Sequence, residues 1–195
     1  MRSYCLIVAL ALAACSKAPR LVTEPDAKAS EPDARSSETT HAYTLDVRGD
    51  GARKPPVQVK VSITIPSSWE IVDELVPESV YFFPPGVNEG DESVNKIVLT
   101  VFACLDGSDP TACMDTIMGR NFSPERLRAS TVEQLGGDRR FLKYDWPGDR
   151  RRVNAALFAH HPGSGAVVMC SFGLRDGYVD RLFPAARAVC ESLTF

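Results

Sequence analysis

Five kinds of side chain in this 195-residue sequence could carry chemistry. Six cysteines occur, Cys5, Cys15, Cys104, Cys113, Cys170 and Cys190. Thiols can bridge, ligate metal, attack a substrate or accept a lipid. Adjacent His160 and His161 could ligate a metal or act as a general base, and Ser164 lies between Gly163 and Gly165. Carboxylates cluster at Asp73, Glu74 and Glu78 and again at Glu89, Asp91 and Glu92. Arg139, Arg140, Lys143, Arg150, Arg151 and Arg152 set six cations against Asp138, Asp145 and Asp149.

Most of these lose their chemistry on spacing. Neighbouring strand residues point to opposite faces, so His160 and His161 do not readily share one metal. Gly163-Ser164-Gly165 lacks the Gly-x-Ser-x-Gly pattern, and it falls between two strands where a nucleophile elbow needs a strand-to-helix turn. The carboxylates read as solvated loops. The second cluster could hold Ca²⁺ loosely, but its spacing is not that of an EF-hand loop. No Cys-x-x-Cys pair is present, which argues against a zinc site and a redox catalyst. Neither a cofactor nor a metal is expected.

The N-terminus tells more. Arg2 precedes a ten-residue apolar run, Cys5 to Ala14. That suits a signal-peptide core of about 7–15 residues and is far short of the roughly 20 that span a bilayer. The run closes in Leu12-Ala13-Ala14-Cys15, which resembles the lipobox of bacterial lipoproteins. The resemblance implies diacylglyceryl transfer to the Cys15 thiol, cleavage after Ala14 and acylation of the new amine. An ordinary secretory signal cut after Ala13 is the alternative. Ser16 stands where Asp would favour inner-membrane retention in that family, so the outer membrane is the expected address.

Residues 16–41 are rich in Pro, Ala, Ser, Thr and Glu and lack aromatic side chains. Such a segment cannot bury enough surface to offset its ordering entropy and reads as a tether. The expected organisation is a signal at 1–14, a lipidated Cys15 and tether at 15–41, and one folded domain at 42–195. With Cys5 removed and Cys15 lipidated, four cysteines remain. An even count in an exported chain points to disulfides. Three pairings are open; Cys104–Cys113 and Cys170–Cys190 close the shortest loops and are the expected pair.

The domain must position these groups on strands and a few helices. Residues 57–65 alternate apolar and polar without a fault, the pattern of a half-buried strand. Residues 42–47 are its expected partner across a loop at 48–51. At 67–76, Ser67 and Glu70 suit a helical capping box, while Val72 and Val76 suit a strand. Residues 96–103 are apolar on both faces, as in a central strand. Asp109-Pro110 signals a helix to about Gly119. Strands follow at 139–146, 152–161 and 166–173, and a helix closes the chain from Val179 to Ser192, with Pro184 in its first turn or at a break after Phe183.

This gives an α+β class. The order of elements, with Ile65-Pro66-x-x-Trp69 early, Gly136-Gly137 in the middle and Ser192-Leu193-Thr194-Phe195 at the end, resembles the PsbP/DcrB-type domain. The resemblance implies an antiparallel β-sheet flanked by helices in an α/β/α sandwich. It also implies a non-enzymatic accessory or assembly role, and supplies no site residues.

Net charge −3 weighs against a nucleic-acid partner held by bulk electrostatics. The expected function is therefore an envelope lipoprotein, anchored through Cys15, whose domain binds a protein or envelope component. The cationic group from Arg139 to Arg152, with Tyr144 and Trp146 interleaved, is its candidate patch. A salt-bridged solvent face is the plainer reading of that group. The alternatives for the whole chain are a hydrolase-like envelope enzyme with a pocket near His160, and a passive structural protein.

Overall fold

A computed structural model describes residues 37–47, 57–76, 79–87, 95–104, 109–147 and 151–195. The expected signal at 1–14, Cys15, most of the expected tether, the loop at 48–51 and Arg150 lie outside the described residues, as do Glu78, Glu89, Asp91 and Glu92. Two strands, β1 (Glu38–Val47) and β2 (Val57–Pro66), form an antiparallel pair. β1 starts at Glu38, so residues 38–41, expected in the tether, belong to this strand pair.

Seven further strands make one antiparallel sheet. They are β3 (Glu70–Val76), β4 (Ser79–Phe83), β5 (Ile97–Ala103), β6 (Thr131–Gln134), β7 (Arg139–Asp145), β8 (Arg152–His161) and β9 (Ala166–Arg175). Their spatial order is β3-β4-β5-β9-β8-β7-β6. β5 lies between β4 and β9, which explains its apolar residues on both faces. The segment at 70–76 resolves as strand, so Asp73 and Glu74 sit on an edge strand, not in a loop.

Strand parity splits the core in two. One face carries Leu99, Phe141, Leu157 and Cys170 and is covered by the β1–β2 pair and helix α3 (Val179–Glu191). The other carries Leu142, Tyr144, Phe158 and Met169 and is covered by helix α1 (Pro110–Asn121), with Leu127 of α2 (Pro124–Ala129) beside it. The result is a sheet with helices on both faces, an antiparallel α+β sandwich.

Local chemistry explains the helix ends. Asp109 accepts from the backbone N–H of Thr111 and Ala112 at 2.9 and 3.1 Å and caps α1. Ser123 caps α2 in the same way, with Pro124 at the first helical position. α3 is continuous through Pro184; proline interrupts one backbone bond, and the chain does not break there. Gly136 and Gly137 turn between β6 and β7 with φ of 88° and 55°, a left-handed pair that glycine adopts most easily.

Bridges fasten both faces. Cys104–Cys113 ties the end of β5 to α1, and Cys170–Cys190 ties β9 to α3; each has Cα atoms 5.4 Å apart. The C-terminus is held too: the Ser192 hydroxyl accepts from Thr64 N–H at 2.9 Å, and Ser62 and Thr194 exchange two backbone bonds at 2.9 and 2.8 Å.

Candidate functional site

The sheet separates the cations that the sequence gathers. Side chains alternate along a strand. Arg140 and Arg152 therefore share the α1 side with Leu142 and Asn154, while Arg139, Lys143 and Arg151 face the α3 side. Most are also occupied. Arg139 donates to the Glu191 carbonyl at 2.8 Å. Arg140 pairs with Asp115, Lys143 with Asp145 at 2.9 Å, and Arg151 with Asp180 at 2.6 Å. A single patch over Arg139–Arg152 is thus not formed among the described residues, because period-two geometry divides it and carboxylates neutralise it.

Arg152 is the exception, and it leads to a different site. Its guanidinium lies 4.7 Å from the centre of the Trp146 ring, and Arg126 from α2 lies 4.2 Å from the same ring. Lys96 enters from the start of β5, 4.8 Å from the Tyr81 ring. These three cations line one open groove of about 290 Å³ on the α1 side of the sheet. Among the described residues none of the three has a carboxylate within ion-pair distance. The Arg152 Nε is buried with no hydrogen-bond partner among them. Val98, Phe122 and Met169 supply apolar wall, and Asn154 and Ser171 supply neutral polar groups.

The groove is rigidly supported. Trp146 stands edge-on to buried Tyr144 with ring centres 5.4 Å apart. In the amide orientation that satisfies both neighbours, the Asn154 oxygen accepts from Trp146 Nε1 at 3.2 Å. A backbone bond from Trp146 N–H to the Arg152 carbonyl, 2.8 Å, closes the strand end. α2 holds Arg126. Hydrogen bonds from the Glu125 backbone N–H and the Ser123 hydroxyl keep the Glu125 carboxyl below its ordinary range, which suits the start of a helix.

Parity would have pointed to Lys96, which alternates with the buried Ile97 and Leu99. Ser123-Pro124 is a helix-start signal that would have placed Arg126. Their meeting with Arg152 depends on contacts far apart in sequence.

The histidines lie elsewhere. His160 is eight residues from Arg152 along β8, roughly 26 Å at the strand rise. Its side chain is 9% exposed, and Nδ1 is 3.7 Å from an Asp138 oxygen, beyond a hydrogen bond. His161 takes the opposite face. Its Nδ1 accepts from the Ser164 N–H at 3.1 Å, with the Ser164 hydroxyl at 3.0 Å, and its ring packs on Phe195 at 4.8 Å. That closes the hairpin tip. Among the described residues no three His, Cys, Asp or Glu side chains come together as a metal site. None of the described helices is long and apolar enough to cross a membrane.

No protein-family model and no curated protein sequence matches the chain. Solved structures do. A protein of Bacteroides thetaiotaomicron VPI-5482 aligns at 14% identity and a TM-score of 0.44, over 69% of this chain and 44% of that one, so the match spans under half of that protein. LpqN of Mycobacterium tuberculosis, described as involved in cell envelope biogenesis, aligns at 14% identity and a TM-score of 0.44, over 80% and 90%. Cyanobacterial PsbP (CyanoP) of Synechocystis sp. PCC 6803 aligns at 12% identity and a TM-score of 0.51, over 84% of this chain and 95% of that one. At such identities the likeness is one of fold, and it rests on the cyanobacterial protein: the chain is built on a PsbP-like α+β fold.

Proposed function

We propose that this chain is a lipid-anchored bacterial envelope protein whose domain is a non-enzymatic binding module. Cys15 would fix it to the membrane, the following segment would give it reach, and the groove of Lys96, Arg126 and Arg152 would engage an envelope component. Ser16 is the reason to assign the outer membrane. Fully acylated Cys15 would carry three chains, against the single chain that gives only reversible binding.

One observation supports the binding reading above the others. Three cations with no carboxylate partner among the described residues line one groove, while neighbouring Arg140, Lys143 and Arg151 are each neutralised. Leaving them so keeps electrostatic capacity available for a ligand. An enzyme acting near His160 would need a pocket and a nucleophile there, whereas the groove lies at the other end of β8.

Complementation of a deletion strain tests this, read as envelope sensitivity to detergent. Cys15→Ser and Arg126→Gln/Arg152→Gln should each fail to restore resistance, and His160→Ala should restore it. Failure of a folded His160→Ala variant, with the arginine variant active, would favour the enzyme.

A further inference from the structure

The groove's chemistry narrows its ligand, an inference that rests on the binding reading above. We propose that it takes a phosphate-bearing group, with Lys96, Arg126 and Arg152 around the phosphate oxygens and the rest of the ligand against Val98 and Met169.

Charge is the first ground for a phosphate. Three half-buried cations face one concavity with no carboxylate among the described residues to balance them. A carboxylate has two oxygens and one charge, which a single arginine fork satisfies. Two guanidinium groups and an ammonium ion call for more oxygens and more charge. A phosphate monoester supplies three terminal oxygens and up to two charges, and arginine matches its geometry in a bidentate manner.

Rigidity is the second. Arg126 and Arg152 both rest on Trp146, and Trp146 is fixed by Tyr144 and Asn154. Both side chains are therefore ordered before a ligand arrives, which lowers the entropy lost on binding. The Arg152 Nε is buried with no hydrogen-bond partner among the described residues, so none of them offsets its desolvation.

Size and wall are the third. About 290 Å³ is at the small end of ligand pockets and fits a headgroup-sized moiety. The apolar side chains of Val98, Phe122 and Met169 suit a carbon skeleton continuing from the phosphate. A lipid headgroup and a free organic phosphate share this chemistry.

Calorimetry on the full chain carrying Cys15→Ser, which removes the lipid, separates the outcomes. The probes are glycerol 3-phosphate, monomeric dihexanoyl phosphatidic acid and succinate. Saturable binding of a phosphate probe is expected, weakening as NaCl rises. Arg126→Gln/Arg152→Gln should weaken it by roughly tenfold or more. Lys96→Gln, a single change in the groove lining, should also weaken it, and Lys60→Gln on β2 should leave it unchanged. Tighter binding of the phosphatidic acid assigns a lipid headgroup; equal binding assigns a free phosphate. No saturation by either phosphate probe, succinate binding as tightly, or groove variants that bind like the parent would overturn the proposal. Loss of envelope function with intact phosphate binding would instead count against the envelope role alone.

Discussion

The Arg126 guanidinium lies 4.2 Å from the centre of the Trp146 indole, so a short helix and the end of β7 meet through one cation–aromatic contact. Arg152 shares that ring. Replacing Trp146 by Leu removes two such contacts and the edge-on pair with Tyr144. At about 0.5–1 kcal/mol per exposed cation–aromatic contact and a similar gain for the ring pair, the expected loss is about 2 kcal/mol. Urea denaturation measures it, with an unchanged m-value if the fold is kept.

The two disulfides should contribute nearly equally. In the chain-entropy model each stabilises by roughly 3 kcal/mol. Their sequence separations, 9 and 20, change that by less than about 1 kcal/mol. Cys104→Ala/Cys113→Ala and Cys170→Ala/Cys190→Ala should therefore lower urea midpoints by comparable amounts. Added reductant should then lower the midpoint of each variant again through its remaining bridge.

Ser192 joins the end of α3 to β2, accepting from Thr64 N–H at 2.9 Å. Ser192→Ala leaves that part-buried N–H without its acceptor. The expected loss is about 1–2 kcal/mol. Amide exchange at Thr64 should quicken more than at Val61, which would show the effect is local.

Glu125 sets a pH dependence. Its folded pKa is lowered by hydrogen bonds from its own backbone N–H and from Ser123. A depressed carboxylate pKa contributes stability that is present above the unfolded value and is lost as pH falls through the folded value. α2 should therefore loosen only in acid, below the usual glutamate range. Carboxyl-detected NMR titration checks it, and Ser123→Ala should raise the Glu125 midpoint towards the ordinary value.

Legibility in the sequence followed the range of the interactions. The unbroken alternation at 57–65 and the two-sided apolar run at 96–103 state strand and burial directly, since strand patterning is local. Asp109-Pro110 likewise states a helix start. Harder were α2 and β6, four to six residues long, where local preference is weak. The cationic group shows another limit. Counting charges along the chain joined Arg139 to Arg152, yet parity sends them to opposite faces. The groove instead joins Lys96 and Arg152, which the pairing of β5, β9 and β8 brings together, with Arg126, which α2 sets on the Trp146 ring. Edge strand β3 held both helical and strand signals, and pairing with β4 decided it.

Attachment through Cys15 is the claim on which the envelope role depends, and an alkyne fatty-acid probe tests it directly in growing cells. Labelling of the full chain is expected, with Cys15→Ser abolishing the label while the protein is still made. Label retained by Cys15→Ser, or absent from the parent chain, would contradict it.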